Sequence, residues 1–151
     1  MSTCFVDSTV LIYPLDRREP AKHEICAAWL RRLRDIDRLT MSPQVLNESY
    51  WVVQRKPQFE PARLIVREYL TSYQRWARAP MDADLLIEAW DIGDRYGARF
   101  WDALLLASAN AAGCSHFLSE DLNDGQLYGA VQAVNPFRHQ PEDVLGPALS
   151  R

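Results

Sequence analysis

The sequence predicts an α/β fold in which about five mainly parallel strands are flanked by helices. Short apolar runs that suit buried strands, such as Cys4–Val6 and Ser115–Leu118, alternate along the chain with longer segments of helical periodicity. Helices between strands act as crossovers and make neighbouring strands parallel. A further observation concerns Asp7 and Asp121, which lie where two predicted strands end. Ligands of open α/β sheets bind beyond such carboxyl ends, so a site is expected there.

The first quarter of the chain reads as strand, helix, helix and strand. Thr3–Asp7 is predicted to be a buried strand, and the Ser8-Thr9 pair after it is predicted to cap a helix that bends near Pro14. Pro20–Arg34 has apolar residues at helical spacing and a cationic end that suits the helix dipole. Leu39–Met41 is a short second strand.

Two helices and a weaker strand are predicted in the middle of the chain. Ser42 is expected at the N-cap and Pro43 in the first turn of a helix that runs to about Gln54. Residues 60–73 form the next helix, with Glu60-Pro61 at its start. Trp76–Ala79 is predicted as a third strand on a poor sequence signal.

The last third of the chain is predicted to complete the sheet. Asp82 is expected to cap a helix that stops at Gly97. Phe100–Ala112 is the most apolar helix, with Trp101 among its packing residues. Ser115–Leu118 is the fourth strand, and the fifth strand, at 130–134, follows after a turn at 123–125.

Length and composition indicate one soluble domain over residues 1–151, with a loosely packed tail from His139. No apolar run reaches the ~18 residues that a membrane span needs. The N-terminus does not resemble a secretory signal, so the expected location is cytoplasmic, with no membrane association. The three cysteines suggest buried thiols rather than a disulfide or zinc site. Almost all basic residues are arginine, which suits phosphate contacts.

Four acids stand out by position and predict the chemistry. Asp7 and Asp121 end strands, Glu48 lies on the inner face of a helix, and Asp102 lies in the first turn of another helix. Clustered carboxylates repel one another unless cations neutralise them, and hard oxygen ligands suit Mg²⁺ or Mn²⁺. One or two such ions can activate water and polarise a phosphoryl oxygen. The implied reaction is hydrolysis of a phosphodiester.

Taken singly, each acid has another explanation, and Asp7 is the hardest to explain in that way. An acid at the position of Asp102 is also explained by the helix dipole alone, which favours negative charge in the first turn. Glu48 could pair with an arginine, since a lone charge on an apolar stripe is costly. Glu120 competes with Asp121 for the role at the end of the fourth strand.

The ordered set of these motifs resembles the PIN-domain ribonucleases, and within them the VapC-type toxins of bacterial toxin–antitoxin pairs. The matching segments are Phe5-Val6-Asp7-Ser8-Thr9-Val10-Leu11-Ile12-Tyr13, Gln44-Val45-Leu46-Asn47-Glu48, Phe100-Trp101-Asp102-Ala103-Leu104, Leu118-Ser119-Glu120-Asp121-Leu122 and Asn135-Pro136-Phe137.

The resemblance implies a three-layer sandwich of five parallel strands between helices, and an endoribonuclease that depends on Mg²⁺ or Mn²⁺. It implies that Asp7, Glu48, Asp102 and Asp121 bind one or two ions. It also implies supporting roles for Ser8, Ser119 and Asp124. One departure is Thr9, which stands where the family usually has asparagine and so lacks a side-chain amide.

The implied partners are an RNA substrate, a cognate antitoxin and a second copy of the chain. Trp51 and the Tyr69/Tyr73 pair are expected to be partly exposed and to form a surface for one of the protein partners. The alternatives are a PIN nuclease that matures RNA or acts on DNA, and a non-catalytic nucleic-acid-binding module. A dehalogenase-like phosphatase needs aspartate in place of Thr9, and a receiver domain needs a lysine later than Lys56.

Overall fold

The computed structural model describes residues 3–56 and 63–147 and shows seven α-helices and five strands in these ranges. In chain order the elements are β1 (Cys4–Val6), α1 (Ser8–Ile12), a 3₁₀ turn (Tyr13–Leu15), α2 (Pro20–Asp35), β2 (Leu39–Thr40), α3 (Pro43–Arg55), α4 (Arg63–Thr71), a 3₁₀ turn (Gln74–Trp76), α5 (Leu85–Tyr96), α6 (Phe100–Ala111), β3 (His116–Leu118), β4 (Leu127–Tyr128), β5 (Val131–Val134) and α7 (Pro141–Leu145).

The sheet is mainly parallel, which confirms the predicted α/β class. Its strand order is β2-β1-β3-β5-β4, and only the β4–β5 pair is antiparallel. All three residues of β1 are buried, as the continuous apolar run predicts for a strand covered on both faces. Phe5 is in register with Phe117 of β3, and the two rings stack with centroids 5.1 Å apart. The carboxyl ends of β1, β3 and β5 therefore meet at one edge of the sheet.

In the described residues, one predicted strand does not form and one strand forms that was not predicted. Residues 76–79 do not form a strand of the sheet; Trp76 ends a 3₁₀ turn, and the segment exchanges two backbone hydrogen bonds with Met41, just after β2. The fifth strand of the sheet is instead β4, which was not predicted and pairs with β5 across a tight turn at Gly129. Gly129 has φ +68°, and its N–H donates to the Tyr96 hydroxyl at 2.9 Å.

Several predicted helix ends agree with the structure and others shift. Gly97 ends α5 in the left-handed conformation, as predicted. That helix begins at Leu85 rather than at Asp82, whose carboxylate accepts the N–H of Asp84 at 3.0 Å. Ser42 is the N-cap residue of α3, but its buried hydroxyl makes no hydrogen bond within the described part of the chain. The predicted start of the helix at residues 60–61 lies outside the described residues.

The residues from His139 to Pro147 are more ordered than predicted for a loose tail. They include α7, which begins with a capping box formed by Gln140 and Asp143. Val144 and Leu145 of this helix pack against the hydrophobic core. The contrary expectation relied on proline content, which is equally compatible with a helix that starts at proline.

The aromatic surface also differs from the prediction. Trp101 is 63% exposed rather than packed. Tyr73 is buried, which contradicts the prediction, whereas Tyr69 is half-buried, as predicted, and its hydroxyl donates to the Leu11 carbonyl at 2.6 Å. Trp51 is exposed, as expected.

The cysteines and the helices bear on two simpler predictions. Cys4, Cys26 and Cys114 are free and buried, as predicted, and burial raises the pKa of each thiol. None of the helices in the described ranges has both the length and the apolar character that crossing a membrane requires.

Candidate active site

Asp7 is a buried carboxylate at the junction of β1 and α1. It is the N-cap of α1, and its Oδ1 accepts the Ser8 backbone N–H at 2.7 Å. This corrects the prediction that Ser8 and Thr9 cap the helix, because the extended backbone that a cap requires belongs to Asp7 itself. The Ser8 hydroxyl lies 3.5 Å from the same carboxylate oxygen. The Thr9 hydroxyl is buried and has no hydrogen-bond partner among the described residues.

Ser119 joins the carboxyl ends of β1 and β3. Its hydroxyl donates to Asp7 Oδ2 at 3.1 Å and accepts the backbone N–H of Asp121 at 3.1 Å. The Asp7 N–H donates in turn to the carbonyl of Leu118 at 3.2 Å. Ser119 is only 2% exposed, so these bonds are sheltered from water. Both oxygens of Asp7 are thus held in place, and the segment that carries Asp121 is fixed to them.

The electrostatics show that three of the four predicted acids influence one another. Burial raises the pKa of Asp7 from its ordinary 3.8 to about 6, even though the Ser8 N–H and the Ser119 hydroxyl act to lower it. The negative charges of Asp102 and Asp121 raise the same pKa further. Reduced hydration and the charges of Glu120 and Asp102 raise the pKa of Asp121 as well. Burial and mutual repulsion therefore destabilise the ionised carboxylates unless a cation is bound.

Asp102 lies in the first turn of α6, as predicted, and is mostly covered. Its Oδ2 lies 3.5 Å from Nε of Arg99, the N-cap residue of the helix, whose side chain is 82% exposed. Such an exposed ion pair is worth little, so it leaves the Asp102 charge available. Its charge also raises the pKa of Asp7.

Glu48 is placed differently from the other three acids. It is half-buried on α3, and its Oε1 accepts a hydrogen bond from the Gln44 side-chain amide at 2.8 Å, one turn earlier. The partner is thus an amide rather than an arginine. Within the described residues, Glu48 makes no hydrogen bond to another predicted site residue.

Glu120, the competitor of Asp121, is occupied elsewhere. The Tyr13 hydroxyl donates to its Oε1, and Lys22 Nζ lies 3.1 Å from its Oε2. Lys22 also lies over the rings of Tyr13 and Phe137, with Nζ 5.2 and 5.1 Å from the centroids. Glu120 therefore links α2 to the end of β3, whereas the charges of Asp102 and Asp121 both act on Asp7.

Asp124, the predicted supporting acid, binds the segment after β5. Its Oδ1 accepts the Asn135 N–H at 2.9 Å, and its Oδ2 lies 2.7 Å from Nε2 of His139. Desolvation acts to raise the pKa of Asp124, but these two contacts lower it overall. The contacts give Asp124 a structural task, which is to hold the chain that leads into α7.

Carboxylates are the type of ligand that binds a hard divalent cation, but in the described residues these acids do not form a complete set of metal ligands. In the described ranges, no three or more His, Cys, Asp or Glu side chains are arranged as ready metal ligands. The fit rests on Asp7, a nearly buried carboxylate with two mutually repelling acids beside it. Mg²⁺ is bound in proteins by one or two carboxylates together with water and substrate phosphates, so such a cage is not required.

Two parts of the site were not predicted from the sequence. Arg99 and the Lys22–Tyr13 pair set the charge around Asp121: the guanidinium of Arg99 and the ammonium of Lys22 both lower its pKa against the larger raising effects. Lys22 lies 98 positions from Glu120 in the chain, so no local pattern joins them. Arg99 is three residues before Asp102, and that spacing on a helix is the signal that could have found it.

Comparison with known proteins agrees with the geometry. No curated protein matches the chain. The model of the PIN domain family matches residues 4–124, a stretch that contains all four predicted acids and most of the sheet. The chain belongs to the PIN domain family.

Proposed function

We propose that the protein is an endoribonuclease of the VapC toxin type that depends on Mg²⁺ or Mn²⁺. PIN domains are generally nucleases, which supports phosphodiester hydrolysis. The observation that carries the proposal is Asp7, a carboxylate buried at a strand end and fixed by Ser8 and Ser119 beside two further acids. Burying a charge in this way is costly, and a protein retains it where a cation or a substrate offsets the cost.

The residues have distinct roles in the proposed reaction. Asp7, Asp102, Asp121 and Glu48 would hold one or two divalent ions, and the ions supply water activation and stabilisation of the leaving oxygen. Ser119 positions Asp7 and the Asp121 backbone through its two hydrogen bonds. Lys22 and Tyr13 contact the two carboxylate oxygens of Glu120, so we do not assign Glu120 as an ion ligand.

Purified protein with end-labelled single-stranded RNA in Mg²⁺ buffer tests the proposal. We expect cleavage that EDTA stops and Mn²⁺ restores. Asp7→Asn should lose it while remaining folded, because asparagine is as good an N-cap as aspartate. Asp91→Asn, an exposed acid on α5, is the matched control and should cleave at the parent's rate. Equal cleavage by Asp7→Asn and the parent would refute the mechanism.

The same assay separates the alternatives. Cleavage of single-stranded DNA and not RNA would favour a DNA nuclease. Binding of RNA with no cleavage in either metal would favour a non-catalytic module.

For the toxin role, sequencing of RNA ends after brief expression, with Asp7→Asn as control, identifies the RNA that is cut. An adjacent small gene for a DNA-binding antitoxin is the accompanying genomic expectation.

We also propose that the protein is a homodimer. Trp51 of α3 and Leu64 and Ile65 of α4 are exposed apolar side chains on two helices that pack together. Light scattering on the size-exclusion peak should give the dimer mass for the parent and a lower mass for Trp51→Glu. A monomeric parent would refute this part of the proposal.

A further inference from the structure

Two adjacent aromatic side chains are exposed at the start of α6. Phe100 is 39% exposed and Trp101 is 63% exposed. Their rings meet edge to face, with centroids 5.2 Å apart and planes at 65°. The pair fixes one ring against the other, which leaves a rigid apolar surface facing solvent.

This surface is not an extension of the core. The middle of α6 is buried at Ala103 and at residues 105–109, whereas the two largest side chains of the helix are exposed. Leu104, one turn after Phe100 and Trp101 on the same face, is already half-buried. The exposed aromatic surface therefore ends within a single turn of the helix.

Exposure alone does not distinguish Trp101, because Trp51 and Trp90 are 55% and 54% exposed. Its neighbours do. Trp101 is the residue before Asp102, and Arg99 just before the pair reaches Asp102 with its guanidinium. The aromatic pair thus lies in the chain between a proposed metal ligand, Asp102, and the arginine that contacts it.

The size and charge of the surface favour a nucleobase as its occupant. Stable protein interfaces bury about 800 Å² on each partner, whereas two partly exposed rings offer far less than the 150–250 Å² that each would bury in full. A base needs only one ring face, and stacking tolerates any sequence. The side chain of Arg99, two residues before Trp101, is 82% exposed, and a guanidinium suits a phosphate of the same RNA strand.

We propose that Trp101, supported by Phe100 and Arg99, stacks an unpaired base of the RNA next to the acidic site and so sets where the strand enters. This inference rests on the proposed function, since it names how the RNA substrate is held. This stacking platform of Trp101, Phe100 and Arg99 would make the enzyme prefer single-stranded or looped RNA, because bases in a duplex do not expose their faces.

The test measures binding of a fluorescein-labelled single-stranded RNA in Mg²⁺, with all variants built on Asp7→Asn so that the RNA stays intact. We expect Trp101→Ala to raise Kd roughly tenfold, a typical loss for one stacked base, and Trp101→Phe to recover most of it. Trp90→Ala, equally exposed on α5, is the matched control and should bind like the Asp7→Asn parent.

Each other outcome counts against the platform. Equal affinity of Trp101→Ala and Trp90→Ala overturns it while leaving the nuclease proposal standing. A lower mass of Trp101→Ala in light scattering would assign the surface to a second copy of the chain and overturn it too. If the Asp7→Asn parent and the unmodified protein bind no RNA, both the platform and the proposed function fail.

Discussion

Replacing Asp7 by asparagine should make the metal-free protein more stable at neutral pH. Asp7 is ionised at pH 7.5 and buried among other negative charges, as its raised pKa shows. Asparagine removes the charge and can keep both partners: its oxygen can accept the Ser8 N–H, and its amide can donate to Ser119 Oγ in a hydrogen bond of reversed direction. A substitution that removes activity is thus expected to increase the free energy of unfolding.

The magnitude follows from the shift in pKa. A rise from 3.8 to about 6 corresponds to about 3 kcal/mol of destabilisation once the carboxyl is ionised in both states. The sign is that of an acid with a raised folded-state pKa: stability is full below pH 3.8 and is lost as pH rises through 6. The advantage of Asp7→Asn should therefore be about 3 kcal/mol at pH 7.5 and about 1 kcal/mol at pH 4.5.

Urea unfolding in EDTA at the two pH values measures this difference. Asp16→Asn is the matched control, because Asp16 is also buried but its pKa is lowered, chiefly by its hydrogen bond with Arg18. That variant should lose stability at pH 7.5. If Asp7→Asn is less stable than the parent at pH 7.5, or if its advantage does not shrink at pH 4.5, the electrostatic reasoning is wrong.

Three further changes test the packing around the site. Ser119→Ala removes the donor to the buried carboxylate and the acceptor of a backbone N–H, and should lower stability by about 2 kcal/mol in urea unfolding at pH 7.5. Tyr69→Phe leaves a carbonyl of α1 without its partner and should lower stability by about 1–2 kcal/mol in the same assay. Gly129→Ala places a Cβ 2.7 Å from Asn110 Oδ1, so its melting temperature should fall further than that of Gly125→Ala, whose Cβ meets open space.

The fold was largely predictable because its signals are local. The apolar run of β1, the proline at the start of α3 and the glycine at the end of α5 each act within a few residues. The errors arise where pairing depends on distant segments. Leu127 and Tyr128 form a strand only because β5 lies beside them, and residues 76–79 share hydrogen bonds with one residue of the neighbouring segment instead of a ladder.

For the candidate site, the sequence predicts the interaction of Asp7 with Asp102 and Asp121 but not the contacts around them. Parallel strands bring their carboxyl ends together, so Asp7 and Asp121 could be matched from topology alone. The contacts that Glu120 makes come from Lys22 and Tyr13, far away in the chain. The exposure of Trp101 was missed because an apolar helix start looks the same whether its first aromatic side chains face the core or the solvent.

Calorimetric titration of the protein with Mn²⁺ at pH 7.5 tests most directly whether these acids form a cation site. The parent should bind one or two ions. Asp102→Asn should weaken the binding at least about tenfold, because it removes a charge that acts on both Asp7 and Asp121. Asp91→Asn should bind like the parent. A parent that binds no Mn²⁺, or an Asp102→Asn variant that binds it equally well, would contradict the assignment of these acids to a metal-dependent nuclease.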